Sequence, residues 1–152
     1  MISEHVFADI DFESAGAERG KTDVPVQIGM ATWSEEKGHA DHFVSCIRAD
    51  QPITWAAQKV HGITSEDLAD APALMLLWPQ IKAIISKRIV VAHGHGTEKR
   101  YLRAFPAHGF GPWVDTLPPA SHTHLTLPPN SDVSLNGHDS PITPTTLPRD
   151  HT

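Results

Sequence analysis

The distribution of aromatic residues most limits what this chain can fold into. All ten Phe, Trp and Tyr residues lie at or before Trp113, although the chain has 152 residues. The last 35 residues, 118–152, contain seven prolines and sustain no hydrophobic period. Such a segment cannot bury enough apolar surface to offset the entropy lost on ordering. The sequence therefore predicts a folded domain over residues 1–117 and a disordered, proline-rich tail over residues 118–152.

The tail has a second interpretation. Residues 121–128 read like the translation of a transposase adapter used in sequencing libraries. On this hypothesis the coding sequence ends near Leu117 and the tail is an artefact. The alternative is a natural low-complexity tail, and the nucleotide sequence behind residues 118–152 distinguishes the two.

Hydrophobic patterning in the first part of the chain predicts an α/β domain. Three apolar stretches come first, separated by polar turns, which is typical of an antiparallel meander. A short β-branched run between helical patterns then predicts a buried parallel strand. This order implies a mixed sheet with helices on its faces. The predicted strands cover residues 5–13, 26–33, 42–48, 89–93 and 113–117. The predicted helices cover 53–60, a segment from Pro72 that Pro79 kinks or restarts, and 98–105.

Two carboxylates stand side by side at the end of the first predicted strand. Asp11 and Glu13 are two positions apart, so their side chains point to the same face. Like charges held this close repel unless a cation lies between them, and oxygen-rich sites suit Mg²⁺ or Mn²⁺. The alternative is a solvated strand end, because the D-x-E pattern also recurs by chance.

Several short motifs follow one another in a specific order. They are D-F-E-S-A-G from Asp11, V-Q-I-G from Val26, V-H-G-I-T from Val60 and V-D-T-L from Val114. Together they resemble the DnaQ-like (DEDDh) 3'–5' exonuclease family, which includes polymerase proofreading subunits, over residues 5–117. The resemblance implies a ribonuclease H-like fold whose C-terminal part is missing. It also implies metal-dependent hydrolysis of phosphodiester bonds at nucleic-acid 3' ends.

The resemblance implies roles for individual residues. Asp11 and Glu13 match the first motif, and Glu98 stands where the second motif has Asp; all three are expected to be catalytic and to bind metal. The intact family site uses two Mg²⁺ or Mn²⁺ ions. Glu98 is one methylene longer than Asp, and its alternative role is an acidic residue in the first turn of a helix. The residues implied to contact nucleic acid are Phe12, Ser14, His61 and Ile63.

The sequence also departs from the family pattern. Gly94 replaces the usual Asn, and Asp9 stands where an apolar residue is usual, either adding a carboxylate near the site or pointing to solvent. The third motif, H-x-x-x-x-D, which supplies a general base and a fourth carboxylate, is absent. The chain is therefore expected to be impaired, and a non-catalytic nucleic-acid-binding fragment is the alternative. A third hypothesis is a zinc hydrolase that uses His93 and His95.

Bulk composition bears on partners and location. The net charge of −6 argues against an extended nucleic-acid groove, although not against a site that grips a few nucleotides through metal ions. No apolar run approaches a membrane span, the N-terminus lacks signal-peptide features, and the single Cys46 fits a reducing compartment. We therefore expect a cytoplasmic protein without membrane contact. The resemblance implies single-stranded DNA or RNA 3' ends as partners, and a DNA polymerase as a further candidate.

Overall fold

The structure, a computed structural model, describes residues 5–105 and 109–117, all within the unit Met1–Pro118. The predicted disorder of residues 118–152 lies outside the described residues and stays a prediction. The strands are β1 (Val6–Ser14), β2 (Pro25–Ser34), β3 (Gly38–Cys46), β4 (Ile89–Ala92) and β5 (Trp113–Asp115). The helices are α1 (Trp55–His61), a 3₁₀ turn (Leu74–Leu77), α2 (Trp78–Ile85) and α3 (Gly96–Leu102).

The five strands form one mixed sheet in the order β3-β2-β1-β4-β5. Strand β2 runs antiparallel to both β1 and β3, whereas β4 is parallel to β1 and β5 is parallel to β4. The predicted α/β fold with a mixed sheet and flanking helices is therefore confirmed. The central strand is β1, and β4 pairs with its first half, so β4 ends beside the middle of β1.

One face of the sheet carries the main core. Burial alternates along β1, where Ala8, Ile10 and Phe12 are buried. Helices α2 and α3 cover this face, and the ring of Trp78 stacks on that of Phe105 with 4.5 Å between centroids. The residues of α2, α3 and the following turn that complete this core are Ile81, Ile85, Tyr101, Leu102 and Phe105.

The opposite face, which we call the open face, is accessible to solvent. Because paired residues of neighbouring strands point to the same side, Asp9, Asp11, Val44 and Val114 all lie on it. Val44 is 67% exposed and Val114 is 43% exposed. A groove of about 550 Å³ runs over this face and passes both aspartates. The open face therefore combines acidic and apolar side chains.

Local sequence explains where two helices begin. Pro79 lies in the first turn of α2, where its missing N–H costs nothing, and a separate 3₁₀ turn precedes it. Of the two predicted effects of Pro79, a kink or a restart, the structure has the restart. Helix α1 begins after Thr54, whose hydroxyl accepts a hydrogen bond from the N–H of Ala57. None of the described helices is long and apolar enough to span a membrane.

Candidate functional site

The two predicted acids of the first motif lie near the end of β1. Asp11 is exposed on the open face, and Glu13 is partly buried on the same side of the strand. Asp11 pairs with Gly29 of β2, which has no side chain, so the space beside the Asp11 carboxylate is clear. Asp9 is also exposed and lines the same groove as Asp11. Two aspartates therefore face the groove, and the aspartate of the first motif is one of them.

Glu98 lies in the first turn of α3 and is only 4% exposed. Burial raises the pKa of its carboxyl group, and the negative charges of Asp11 and Asp115 raise it further. Its own backbone N–H and His95 act in the opposite direction. The charge of Asp11 thus acts on the pKa of Glu98, although 87 positions separate the two residues in the sequence.

The carboxyl group of Glu98 has an unused acceptor. Its Oε2 atom is buried and has no hydrogen-bond partner among the described residues. An unpaired buried oxygen is costly, and a bound cation would remove that cost. The carboxylate oxygen of Glu98, like those of Asp11 and Glu13, is the hard ligand type that Mg²⁺ or Mn²⁺ prefers. Within residues 5–105 and 109–117, however, no three His, Cys, Asp or Glu side chains already enclose a metal position.

The loop between β4 and α3 is held by the carboxylate of Asp115. Its Oδ1 accepts hydrogen bonds from the N–H groups of Gly94 at 2.8 Å and Leu117 at 2.9 Å. Its Oδ2 accepts one from the N–H of His95 at 3.2 Å. These bonds hold the pKa of Asp115 below its usual range. Sequence reasoning gave Asp115 no role, although the V-D-T-L motif contains it.

His61 connects α1 to the end of β1. The N–H of Ile63 donates to His61 Nδ1 at 3.0 Å, so this nitrogen is the acceptor and Nε2 carries the proton. The Nε2–H then donates to the carbonyl of Ser14, also at 3.0 Å. The V-H-G-I-T loop is therefore fixed to the residue that follows Glu13. The predicted nucleic-acid residues Ser14 and His61 are joined by this bond.

Two residues predicted to contact nucleic acid have buried side chains. Phe12 is 8% exposed and packs edge-on against Tyr101, with 5.2 Å between ring centroids. Ile63 is 7% exposed and belongs to a small second core with Ala15, Val26 and Leu68. Phe12 can meet a ligand only through its backbone, and Ile63 can meet one only after further exposure. Their roles stay predictions.

The two histidines of the H-x-H pair have separate partners. His93 Nδ1 lies 3.1 Å from the hydroxyl of Thr116. His95 Nδ1 lies 3.5 Å from Asp115 Oδ2, and its ring meets the edge of Trp113 with 6.1 Å between centroids. Among the described residues, no group of three His, Cys, Asp or Glu side chains that includes this pair could hold a metal ion.

Comparisons with known proteins agree on one relationship. The model of the exonuclease family matches residues 9–98, a range that includes all three predicted catalytic acids. DNA polymerase III PolC-type from Thermotoga petrophila is 26% identical over 116 residues, which are 73% of this chain and 8% of that protein. The chain thus spans less than a tenth of the length of this curated relative.

Solved structures show the same fold. Exonuclease X in complex with 5' overhanging duplex DNA aligns with a TM-score of 0.56 and 26% identity, over 72% of this chain and 58% of that one. The nuclease domain of 3'hExo, a DEDDh family member bound to rAMP, aligns with a TM-score of 0.54 and 15% identity, over 67% of this chain and 58% of that one. At this identity the second likeness concerns the fold alone.

Proposed function

The chain belongs to the exonuclease family, and on this premise we propose that it carries a metal-dependent 3'–5' exonuclease site that hydrolyses phosphodiester bonds at nucleic-acid 3' ends. The observation that carries the proposal is the buried Glu98 carboxyl group, whose unpartnered Oε2 lies within electrostatic reach of Asp11. We propose Asp11, Glu13 and Glu98 as the metal ligands and catalytic residues.

The surroundings of the acids suit this chemistry. When bound, two Mg²⁺ or Mn²⁺ ions would supply an activated water and neutralise the leaving 3' oxygen. Asp11 faces an open groove, so a phosphodiester can approach its carboxylate. Glu98 is shielded from water, which strengthens its attraction for a cation. The rigid link from His61 to Ser14 holds the strand end that follows Glu13.

The substrate and partners are also proposals. We propose single-stranded DNA or RNA 3' ends, since the solved relatives above include one described with DNA and one with rAMP. The PolC-type relative supports a DNA polymerase as a candidate partner. The cytoplasm is the compartment we propose, because the single Cys46 is not paired in the chain.

We further propose that catalysis is weak in this chain. The sequence lacks the H-x-x-x-x-D motif that would supply a general base. A positioned general base typically contributes ~10²–10⁴ in rate, so a soluble base should restore part of the loss. The alternative function, a non-catalytic nucleic-acid-binding fragment, is favoured by the missing motif and by the open arrangement of the described acids.

The test is a time course on a 5'-labelled single-stranded oligonucleotide with Mg²⁺, Mn²⁺ or EDTA. We expect slow shortening from the 3' end that needs metal, increases with added imidazole and disappears in Asp11→Asn. Asp70→Asn, which changes an exposed aspartate outside the predicted site, is the matched control and should match the unmodified chain. Binding of the oligonucleotide without any shortening, with or without imidazole, would favour the non-catalytic alternative. Robust activity without imidazole would show that this chain supplies its own base.

A further inference from the structure

We infer that Asp115 is a positioning residue that fixes the place of Glu98 by holding the loop between β4 and α3. The inference deepens the proposed function, because the position of Glu98 matters to the chemistry only if Glu98 serves the site. Asp115 itself lies beyond residues 9–98, the range matched by the exonuclease family.

Helix α3 starts from two residues of the loop that precedes it. The carbonyl of Gly94 accepts a hydrogen bond from the N–H of Thr97, and the carbonyl of His95 accepts one from the N–H of Lys99. The N–H groups of the same two residues, Gly94 and His95, both donate to Asp115. One carboxylate therefore holds the N–H groups of both residues whose carbonyls accept the first hydrogen bonds of α3.

Few interactions within the β4–α3 loop itself hold its backbone in this conformation. Gly94 has φ +81°, a left-handed conformation, and the α3 N-cap residue, His95, makes no side-chain hydrogen bond that caps the helix. The carboxylate of Asp115, on a neighbouring strand, instead holds the N–H groups of Gly94 and His95 just before the helix. Because Glu98 is the third residue of α3, a shift of the loop would move its carboxyl group directly.

Asp115 is itself held in place. It pairs with Ala92 in the parallel ladder between β4 and β5, and the N–H of Thr116 donates to the carbonyl of Ala92 at 2.9 Å. The bond from the N–H of Leu117 fixes its carboxylate a second time. The hydrogen bonds of Asp115 thus connect β5 to the β4–α3 loop and, through α3, to Glu98. Outer-shell groups of this kind typically change metal affinity by ~10–100-fold when they are removed.

The test needs a variant that keeps the charge and alters only the geometry. Asp115→Glu does this, since its carboxylate lies one methylene further out. Asp67→Glu is the matched control, because Asp67 is also an exposed aspartate whose carboxylate accepts a backbone N–H, that of Thr64 at 2.8 Å. Mn²⁺ affinity is measured by electron paramagnetic resonance on the full chain. We expect Asp115→Glu to bind Mn²⁺ about 10–100-fold more weakly and Asp67→Glu to be unchanged.

A second measurement does not depend on metal. In EDTA at neutral pH, Glu98→Gln should raise the melting temperature by removing a buried, unpartnered charge. We expect this gain to fall by at least half in the Asp115→Glu background, where the loop relaxes, and to persist in Asp67→Glu. If Asp115→Glu fails to fold, the same comparison is made with Asp115→Asn at high salt. The salt screens the repulsion between Asp115 and Glu98.

The outcomes separate the two proposals. Equal gains from Glu98→Gln in the Asp115→Glu and Asp67→Glu backgrounds would overturn the role of Asp115. If the unmodified chain binds no Mn²⁺, the metal site of the proposed function fails. The melting-temperature comparison then still decides whether Asp115 positions Glu98.

Discussion

Glu98 departs from the general rule that buried ionisable groups are paired or hydrogen-bonded. A carboxyl group with 4% exposure and an unpartnered oxygen is destabilising when ionised. Asp11 beside it adds repulsion instead of compensation. Such an arrangement is typical of functional sites, where buried charge is retained for a ligand. The metal-binding role that we propose for Glu98 would therefore account for the free-energy cost of burying its carboxylate.

The stability of the chain should depend on pH through Glu98. The folded-state pKa lies above the ordinary value of 4.5, so the contribution of Glu98 to stability is complete below pH 4.5 and is lost as the pH rises through the folded-state pKa. Glu98→Gln should therefore melt at a higher temperature than the unmodified chain at pH 7 in EDTA. The gain should be about 1–3 kcal/mol, or roughly 4–8 °C for each kcal/mol.

Calorimetry from pH 7 down to pH 4 checks this. The difference between Glu98→Gln and the unmodified chain should shrink as the pH falls towards 4.5. Adding Mn²⁺ at pH 7 should raise the melting temperature of the unmodified chain more than that of the variant. A constant difference across the pH range would show that Glu98 is solvated in solution.

At the scale of elements, α1 is held by hydrogen bonds and contributes little to the core. None of its residues is buried, and Val60 is 84% exposed. Its attachments are the N–H of Thr54 on the carbonyl of Ala15, at 2.7 Å, and the two bonds of His61. Gly16 is required where the loop meets α1, because its φ is +93° and a Cβ there would lie 2.2 Å from Thr54 Oγ1. The attachment of α1 to the sheet therefore depends mainly on these individual hydrogen bonds.

Replacing His61 should loosen α1 from β1. His61→Phe keeps an aromatic ring but leaves the carbonyl of Ser14 and the N–H of Ile63 without their present partner. We expect a loss of about 1–3 kcal/mol in the free energy of unfolding, measured in urea. His39→Phe, at an exposed position of β3, is the control and should change the stability by less than about 0.5 kcal/mol. Equal effects of the two substitutions would mean that the His61 bonds do not form in solution.

At the scale of the whole molecule, the two faces of the sheet are unequal. Helices α2 and α3 cover one face, whereas the open face exposes Val44, Val114 and 38% of Trp33 around the aspartates. Exposed apolar side chains on one face of a sheet favour association. We therefore expect the chain to self-associate through its open face when no other molecule covers that face.

Self-association should weaken when the open face is made polar. We expect the 152-residue chain to form concentration-dependent oligomers or aggregates, and Val44→Lys to shift it towards monomer. Val60→Lys is the control, because Val60 is equally apolar and more exposed but lies on α1. Sedimentation velocity over a concentration series is the measurement. A monomer at every concentration, with cooperative thermal unfolding, would contradict the prediction.

The sequence by itself determined the order of the elements and the fold class. The apolar stretch that begins β1 and the short β-branched run of β4 are local patterns, and each was enough to predict its strand. The motif around Asp11 and Glu13, taken with V-Q-I-G and V-H-G-I-T, was enough to indicate the exonuclease family, which the family match confirms. These inferences succeeded because side-chain periodicity and motif spacing are properties of neighbouring residues.

Only the tertiary structure decided how the distant parts of the site meet. Asp11 acts electrostatically on Glu98, and Asp115 reaches the β4–α3 loop, because β1, β4 and β5 lie side by side in a parallel arrangement. The same packing buries the side chains of Phe12 and Ile63, which the motifs alone assigned to nucleic-acid contact. Such results depend on which strands pair and which face the helices cover. Those choices follow from burial summed over the whole sheet, so no single stretch of sequence contains them.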